Sequence, residues 1–362
     1  MRLLPEGARP RLRIGVDADN LMHDRRGIAR YVRALLRRWL SSDGEVDLTL
    51  LVSHPFPGML TKRLAAALGL ARVAVANRSY ARRRGFDVVW HPWNGIFFRT
   101  DCRDVATIHD VWPFVDAPAD DPALARHRQE PFLHAASRAS RIITDSQFSK
   151  SEIVRHLGVG DGRIEVIPLG VDAGLLSPTP PRVDIAGSTR YVLFVGEAEA
   201  RKDLATLLRA MGLLPDRLRT TTALVVAGKN TSSASVPAGV RIHFAGEVDD
   251  DKLASLYASA AAFAFPSRYE GFGLPVLEAM ALGAPVVASD AASVPEVGGD
   301  AALYFPAGDS RALAEQLERV LSDEALAHEL REKGKLRAAD MSWDRCAAAT
   351  LAVLRSTADT SA

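Results

Sequence analysis

Phe263-Ala264-Phe265-Pro266-Ser267-Arg268-Tyr269-Glu270-Gly271-Phe272-Gly273-Leu274-Pro275-Val276-Leu277-Glu278-Ala279-Met280 runs from an apolar strand, through a glycine-containing loop, into a helix. The apolar run stops at Pro266, and Pro275 suits a first helical turn, where its missing N–H costs nothing. Such a helix start carries backbone N–H groups without intrahelical acceptors, which is a ready anion site. Gly271 and Gly273 let the backbone come close to a phosphate, and Phe272 and Leu274 complete the loop. Glu270 and Glu278, with seven residues between them, flank this site and can accept hydrogen bonds from hydroxyls. Taken singly, Glu270 reads equally well as a solvated loop acid and Glu278 as a helix-dipole residue.

Outward from this stretch, short apolar runs alternate with amphipathic segments. Leu12–Val16, Asp47–Val52, Asp87–Trp90, Val105–Ile108, Arg141–Thr144 and Ile164–Ile167 read as strands, with helices over Gly27–Leu40 and Leu60–Leu70. Ser177-Pro178-Thr179-Pro180-Pro181 sustains neither helix nor central strand and reads as a linker within Leu175–Arg190. The alternation then restarts. Tyr191–Val195, Thr222–Ala227, Arg241–Ala245, Ala262–Phe265 and Pro285–Ser289 are strands, and Asp203–Met211, Asp251–Ser259, Pro275–Leu282 and Ser310–Ser322 are helices. Strands separated by helices predict parallel βαβ units, here in two α/β halves. The expected domains are 1–178 and 187–340, with a C-terminal helix in 341–362 packing back on the first.

Composition narrows the function classes. Of 362 residues, 48% are hydrophobic, enough for buried cores, and the net charge of +1 gives no sign of a nucleic-acid partner. The halves differ: residues 1–180 hold 26 basic and 20 acidic side chains, the rest 19 and 24. Two distant cysteines, Cys102 and Cys346, form no disulfide framework or zinc spacing and fit a reducing cytosol. Residues 1–13 lack the apolar core of a signal peptide, and no apolar stretch approaches the ~20 residues that cross a bilayer. A cytoplasmic protein is expected, peripheral at the inner face of a membrane at most.

Three further segments place chemistry at strand ends. Phe194-Val195-Gly196-Glu197-Ala198-Glu199-Ala200-Arg201-Lys202-Asp203 is a strand, a turn and a helix start. It offers a guanidinium fork and a compact ammonium to an anion. Asp24-Arg25-Arg26-Gly27-Ile28-Ala29-Arg30-Tyr31 leads into the first helix at Gly27. Thr107-Ile108-His109-Asp110 sets His109 at a strand's carboxyl end, where a neutral imidazole would bond a hydroxyl or shuttle a proton. His91, after Trp90, is a second candidate for an acceptor side together with Arg30 and Tyr31; His23 is weaker. Asp145-Ser146-Gln147-Phe148-Ser149-Lys150 and Val166–Asp172 read as architecture, with Ser146 and Ser149 as capping hydroxyls.

The string from Phe263 to Met280 resembles the Glu-x7-Glu signature of the retaining glycosyltransferases of family 4, the group 1 glycosyltransferases. The likeness continues through Gly283–Ser289 and Ser293–Val297. It implies a GT-B fold, two Rossmann-like domains facing across a cleft, and hexose transfer from a sugar nucleotide with retention. It implies no metal and no cofactor beyond that donor. Carried over, it makes His109, Glu270, Lys202 and Arg201 catalytic, and Gly27, Gly196, Glu270, Gly271, Phe272, Gly273, Leu274 and Glu278 donor-binding. Two departures are visible. Many members carry Arg directly after the glycine where Glu197 stands, so Arg201 must substitute. The family's Gly-Gly loop reads Arg26-Gly27.

The Gly196–Lys202 and Phe265–Gly273 strings look most like mannosyltransferase-type members using GDP-mannose, with a UDP- or ADP-hexose donor as the alternative. The acceptor would be a saccharide or lipid-linked saccharide. Arg78 and Arg82-Arg83-Arg84, beside an apolar helix, would suit an anionic lipid surface and equally a plain solvated basic face. Against a dehydrogenase, the first strand is not followed by Gly-x-Gly-x-x-Gly. Against a phosphorylase, no pyridoxal-phosphate lysine context is visible. A non-catalytic sugar-nucleotide-binding subunit is the rival from another class.

Overall fold

Thirteen short strands and thirteen α-helices follow one another along the described residues, which are 11–23, 27–41, 46–82, 85–118, 120–172, 190–197, 199–229 and 236–360 of this computed structural model. The chain divides into two units, residues 1–168 with 343–362, and residues 169–342. Most of the linker segment, including Ser177–Pro181, lies outside the described residues, as do Asp24, Arg25, Arg26, Arg83 and Arg84.

The first unit is built on β1 (Leu12–Asp17), β2 (Val46–Val52), β3 (Ala74–Asn77), β4 (Val88–His91), β5 (Asp104–Thr107), β6 (Arg141–Thr144) and β7 (Ile164–Val166). All pairs are parallel, in the order β3-β2-β1-β4-β5-β6-β7. Its helices are α1 (Gly27–Ser41), α2 (Thr61–Ala67), α3 (Trp112–Val115), α4 (Pro122–Arg138) and α5 (Gln147–Leu157), joined by the C-terminal helix α13 (Trp343–Asp359). The strands read as near-continuous apolar runs because helices cover both faces of a parallel sheet. Tyr31, Val32, Leu35, Leu36 and Trp39 form the buried stripe of α1, at helical spacing. α13 packs on that helix. Trp39 Nε1 donates to the Ala347 carbonyl at 3.0 Å, and Arg38 pairs with Asp344 at 2.6 Å. Farther along α13, Arg103 donates to the Thr357 and Ala358 carbonyls, each at 2.8 Å.

The second unit holds β8 (Tyr191–Val195), β9 (Ala223–Ala227), β10 (Ile242–Gly246), β11 (Ala262–Phe265), β12 (Val286–Ser289) and β13 (Ala302–Phe305), again all parallel, in the order β10-β9-β8-β11-β12-β13. Around them lie α6 (Leu204–Leu213), α7 (Asp216–Arg219), α8 (Asp250–Ser259), α9 (Leu274–Ala281), α10 (Val294–Gly298), α11 (Ser310–Ser322) and α12 (Glu324–Asp340). One face of the sheet buries Val192, Phe194, Leu224 and Val226 against Leu207, Met211 and Leu317. Ligands of open parallel sheets bind outside the carboxyl ends of the strands where the order reverses. Those points fall between β1 and β4 in the first unit and between β8 and β11 in the second. The edge strand β3 and the short strand β13, absent from the sequence reading, complete the sheets. Among the described residues no helix is long and apolar enough to cross a membrane.

Candidate active site

At the reversal point of the second unit, the sequence segments after β8 and β11 meet. Beyond Val195 the chain turns through a 3-10 turn at Ala200–Lys202, and Asp203, at φ 47°, caps α6 through a bond from the Thr206 N–H. Beyond Phe265 it enters the loop that ends at Gly273, whose φ of 105° places the chain at the start of α9. The two segments are tied at backbone level by Arg268 N–H donating to the Arg201 carbonyl at 2.7 Å. A side-chain link follows, Arg268 Nε to Asp203 at 2.7 Å. Gly228 makes the turn possible on the other side. A Cβ there would lie 1.9 Å from the Gly196 carbonyl oxygen, so no other residue fits without moving the chain.

This framework brings Arg201, Lys202 and Glu270 together across 68 and 69 residues of sequence. Lys202 Nζ donates to Glu270 Oε1 at 2.6 Å, and Arg201 Nη1 to Oε2 at 3.1 Å. Ser267 Oγ adds a 2.6 Å bond to Oε1, and Arg201 Nε is held by Glu199 at 2.7 Å. Ser293 Oγ lies 2.9 and 2.8 Å from the Glu270 and Phe272 carbonyls, fixing the loop from α10's side. Burial pushes the Glu270 carboxyl up, but Lys202 and Arg201, with the Lys202 and Ser267 hydrogen bonds, bring it below the ordinary glutamate value. The result is a buried carboxylate that stays ionised and holds two cations at the carboxyl ends of the central strands. Gly196 lies at the end of β8 beside Lys202. Gly271, Phe272, Gly273 and Leu274 form the loop into α9, and Glu278 sits in that helix with Tyr257 Oη 3.4 Å from its carboxylate.

In the first unit, His109 lies just beyond β5. Its ring faces Asp145 at 2.6 Å through Nδ1 and the Pro92 carbonyl at 3.2 Å through Nε2. Its backbone N–H donates to Asn94 at 2.6 Å, and its carbonyl accepts from Ser149 Oγ at 2.9 Å. Burial pulls the imidazole down, yet Asp145 and the Pro92 carbonyl outweigh it and leave the ring above the ordinary histidine value. The contact that raises it, Asp145 against the ring, is not visible in the sequence.

The acceptor-side residues fare differently. His91 is the last residue of β4 and is fully buried, with Asp104 at 3.0 Å and Asp17 at 3.9 Å. Buried in this way, it presents no surface to an acceptor. Tyr31 is also buried, packed edge-on to His109 at 5.0 Å and Trp90 at 5.7 Å. Arg30 is half-buried on α1, and Gly27 is that helix's first residue. Ser267, Glu199, Tyr257 and Asp145 were not singled out as site residues from sequence. Ser267 and Glu199 stand inside the strings quoted above, and Asp145 opens the segment read as architecture.

The comparisons with known proteins bear on both units. Residues 25–175 match the family described as Glycosyltransferase Family 4, and residues 179–337 that described as Glycosyl transferases group 1. The chain is 32% identical over 289 residues to the O-antigen chain mannosyltransferase B of Escherichia coli, covering 76% of each protein. It is 32% identical over 271 residues to the MMP alpha-(1->4)-mannosyltransferase of Mycolicibacterium hassiacum, covering 69% of this chain and 64% of that protein. Among solved structures it resembles the sucrose-phosphate synthase of Thermosynechococcus elongatus, with a TM-score of 0.72 and 20% identity over 97% of this chain and all of the other. That likeness concerns the fold, two parallel α/β sheets of the GT-B type. With both sheets, both family matches and a relative aligned over three quarters of its length in agreement, the chain belongs to the group 1 glycosyltransferases of family 4.

Proposed function

We propose that the protein transfers a hexose, mannose from GDP-mannose in the reading best supported, to a saccharide or lipid-linked saccharide, with retention and without a metal. The observation that carries this is the convergence of Arg201, Lys202 and Glu270 at the reversal point of the second sheet. In this reading the donor diphosphate takes over the two cations and the N-terminus of α9. These neutralise the leaving nucleoside diphosphate. Glu270, released from Lys202, then accepts hydrogen bonds from sugar hydroxyls, and Glu278 does the same for the ribose. His109 is read as a substrate-facing group that bonds a hydroxyl. Two relatives whose names state mannosyl transfer support the choice of sugar, and a UDP- or ADP-hexose is the alternative donor.

The test is thermal stabilisation by GDP-mannose, UDP-glucose, UDP-N-acetylglucosamine and ADP-glucose, each with and without EDTA, followed by transfer assays. A rise with GDP-mannose that survives EDTA is expected, and Lys202→Ala should lower kcat about 100- to 1000-fold with the fold retained. Near-normal transfer by that variant would remove the phosphate role. Donor binding with no transfer and no slow hydrolysis would favour a non-catalytic sugar-nucleotide-binding subunit instead.

A lipid-linked acceptor draws support from one surface of the first unit. Phe56 and Met59 are 68% and 75% exposed, just before α2 with its exposed Lys62 and Arg63. Between Asp47 and Asp87 the sequence holds seven Lys or Arg and no acid. Apolar side chains beside the exposed Lys62 and Arg63 suit an anionic membrane surface.

A further inference from the structure

The two ring nitrogens of His109 both face oxygens that can only accept. Nδ1 lies 2.6 Å from Asp145 Oδ2 and Nε2 lies 3.2 Å from the Pro92 carbonyl. A neutral imidazole has one N–H and one lone pair. Whichever tautomer is chosen, the lone pair confronts an oxygen lone pair, with the carboxylate at hydrogen-bonding distance as the worse case. A second ring proton removes both conflicts at once. That proton belongs on the ring and not on the carboxyl, since imidazole ordinarily binds a proton more tightly than a carboxylate by roughly 2.6 pH units.

The surroundings agree from every side. Asp145 follows the end of β6, and its second oxygen is buried with no hydrogen-bond partner among the described residues, so the ion pair it makes is with His109. Asp110, next along the chain, adds a second negative charge. Tyr31 of α1 packs edge-on to the ring, Cys346 of α13 lies near Asp145, and burial pushes both of their pKa values up, favouring the neutral forms. Asn94 on its N–H and Ser149 on its carbonyl hold the backbone of His109 in place.

We infer that His109 works as an imidazolium, that Asp145 is the positioning residue that keeps it doubly protonated, and that His109 therefore takes no proton from the acceptor. This rests on the reading of His109 as a substrate-facing group. In the transfer step the acceptor O–H breaks, the glycosidic C–O bond forms and the anomeric C–O bond to phosphate breaks. The proton leaves with the departing phosphate oxygen. His109 supplies positive charge, and its more weakly held Nε2–H can turn from the Pro92 carbonyl to a substrate hydroxyl.

The experiment follows the ring nitrogens of the full chain, labelled with 15N in the histidine imidazoles, with the His109 signals assigned from a His109→Asn variant. Both nitrogens should be protonated at about pH 7.5, and the ring should lose its proton only at alkaline pH. In Asp145→Asn its proton affinity should fall at least about tenfold, while Asp145→Glu should restore most of it. The alkaline limb of kcat/KM should follow the same midpoint and move down with it. A neutral ring at pH 7.5 in the wild-type protein overturns the inference without needing any variant to fold. An unmoved titration in Asp145→Asn overturns the role of Asp145. A charged ring with activity flat across its midpoint overturns the catalytic need for the charge. Absence of transfer from every donor, with the ring charged, would instead count against the functional reading above.

Discussion

Glu270 bonds both Arg201 and Lys202, the two cations proposed above to take the donor diphosphate. A carboxylate that competes for the same cations as the substrate should have opposite effects on the two parts of that substrate. In Glu270→Gln the cations lose a rival, so bare GDP should bind as well as before or more tightly. Transfer from GDP-mannose should fall by about 100-fold or more, because the sugar hydroxyls lose a charged acceptor. Calorimetry with GDP, set beside kcat for GDP-mannose, checks this, and equal losses in both would remove Glu270 from contact with the sugar. At this scale the sequence was informative about identity and poor about direction. Arg201, Lys202 and Glu270 were legible because strand ends and glycine turns mark them. The burial of His91 was not legible, because the last residue of a strand looks the same in sequence whether it is buried or exposed. The His109–Asp145 contact spans 36 residues and two strands, and no local pattern announces it.

Elements explain which parts of the fold were readable. Strands such as β4 and β9, buried on every residue, stand out as apolar runs. β3 does not, because as an edge strand it is only partly buried and reads Ala-Val-Ala-Asn. β13 is four residues flanked by turn formers. α4 was missed for a related reason. Only Phe132 and Ala135 are buried along its 17 residues, and Pro131 lies inside it, so it lacks the periodic stripe that marks α1. The turn Pro57–Leu60 with α2 is the element that carries the proposed membrane contact. Its exposed Phe56 and Met59 contribute no core packing, so Phe56→Ser with Met59→Ser should leave thermal stability nearly unchanged. The same double variant should lose most binding to vesicles containing anionic lipid at low salt, and Lys62→Ala with Arg63→Ala should weaken it in a salt-dependent way. Wild-type protein that fails to sediment with such vesicles at low salt would end the proposal for this surface.

Across the whole molecule, three buried ionisable groups set opposite limits on stability. His91 is fully buried between Asp104 and Asp17. Burial pulls its imidazole down, but the two carboxylates carry it above its ordinary value, as Asp145 does for His109. A group with a raised folded-state pKa binds its proton more tightly when folded. Its contribution is complete below the unfolded value of about 6.5 and is lost as pH rises through the folded value. Glu270 is shifted the other way, burial being outweighed by Lys202 and Arg201. Its contribution is complete above about 4.3 and is lost as pH falls through the folded value. The two histidines belong to the first unit and Glu270 to the second. The alkaline loss should therefore appear as earlier amide exchange in β4 and β5, and the acid loss as earlier exchange in β8 and β11. Melting temperature should be highest at mildly acidic pH, between about 4.5 and 6.5, and decline on both sides. GDP should shift the acid limb, because it competes with Glu270 for Lys202 and Arg201, and should leave the alkaline limb where it is. A melting temperature that climbs steadily from pH 6 to pH 8.5 would contradict charged forms of both histidines, whatever the donor proves to be.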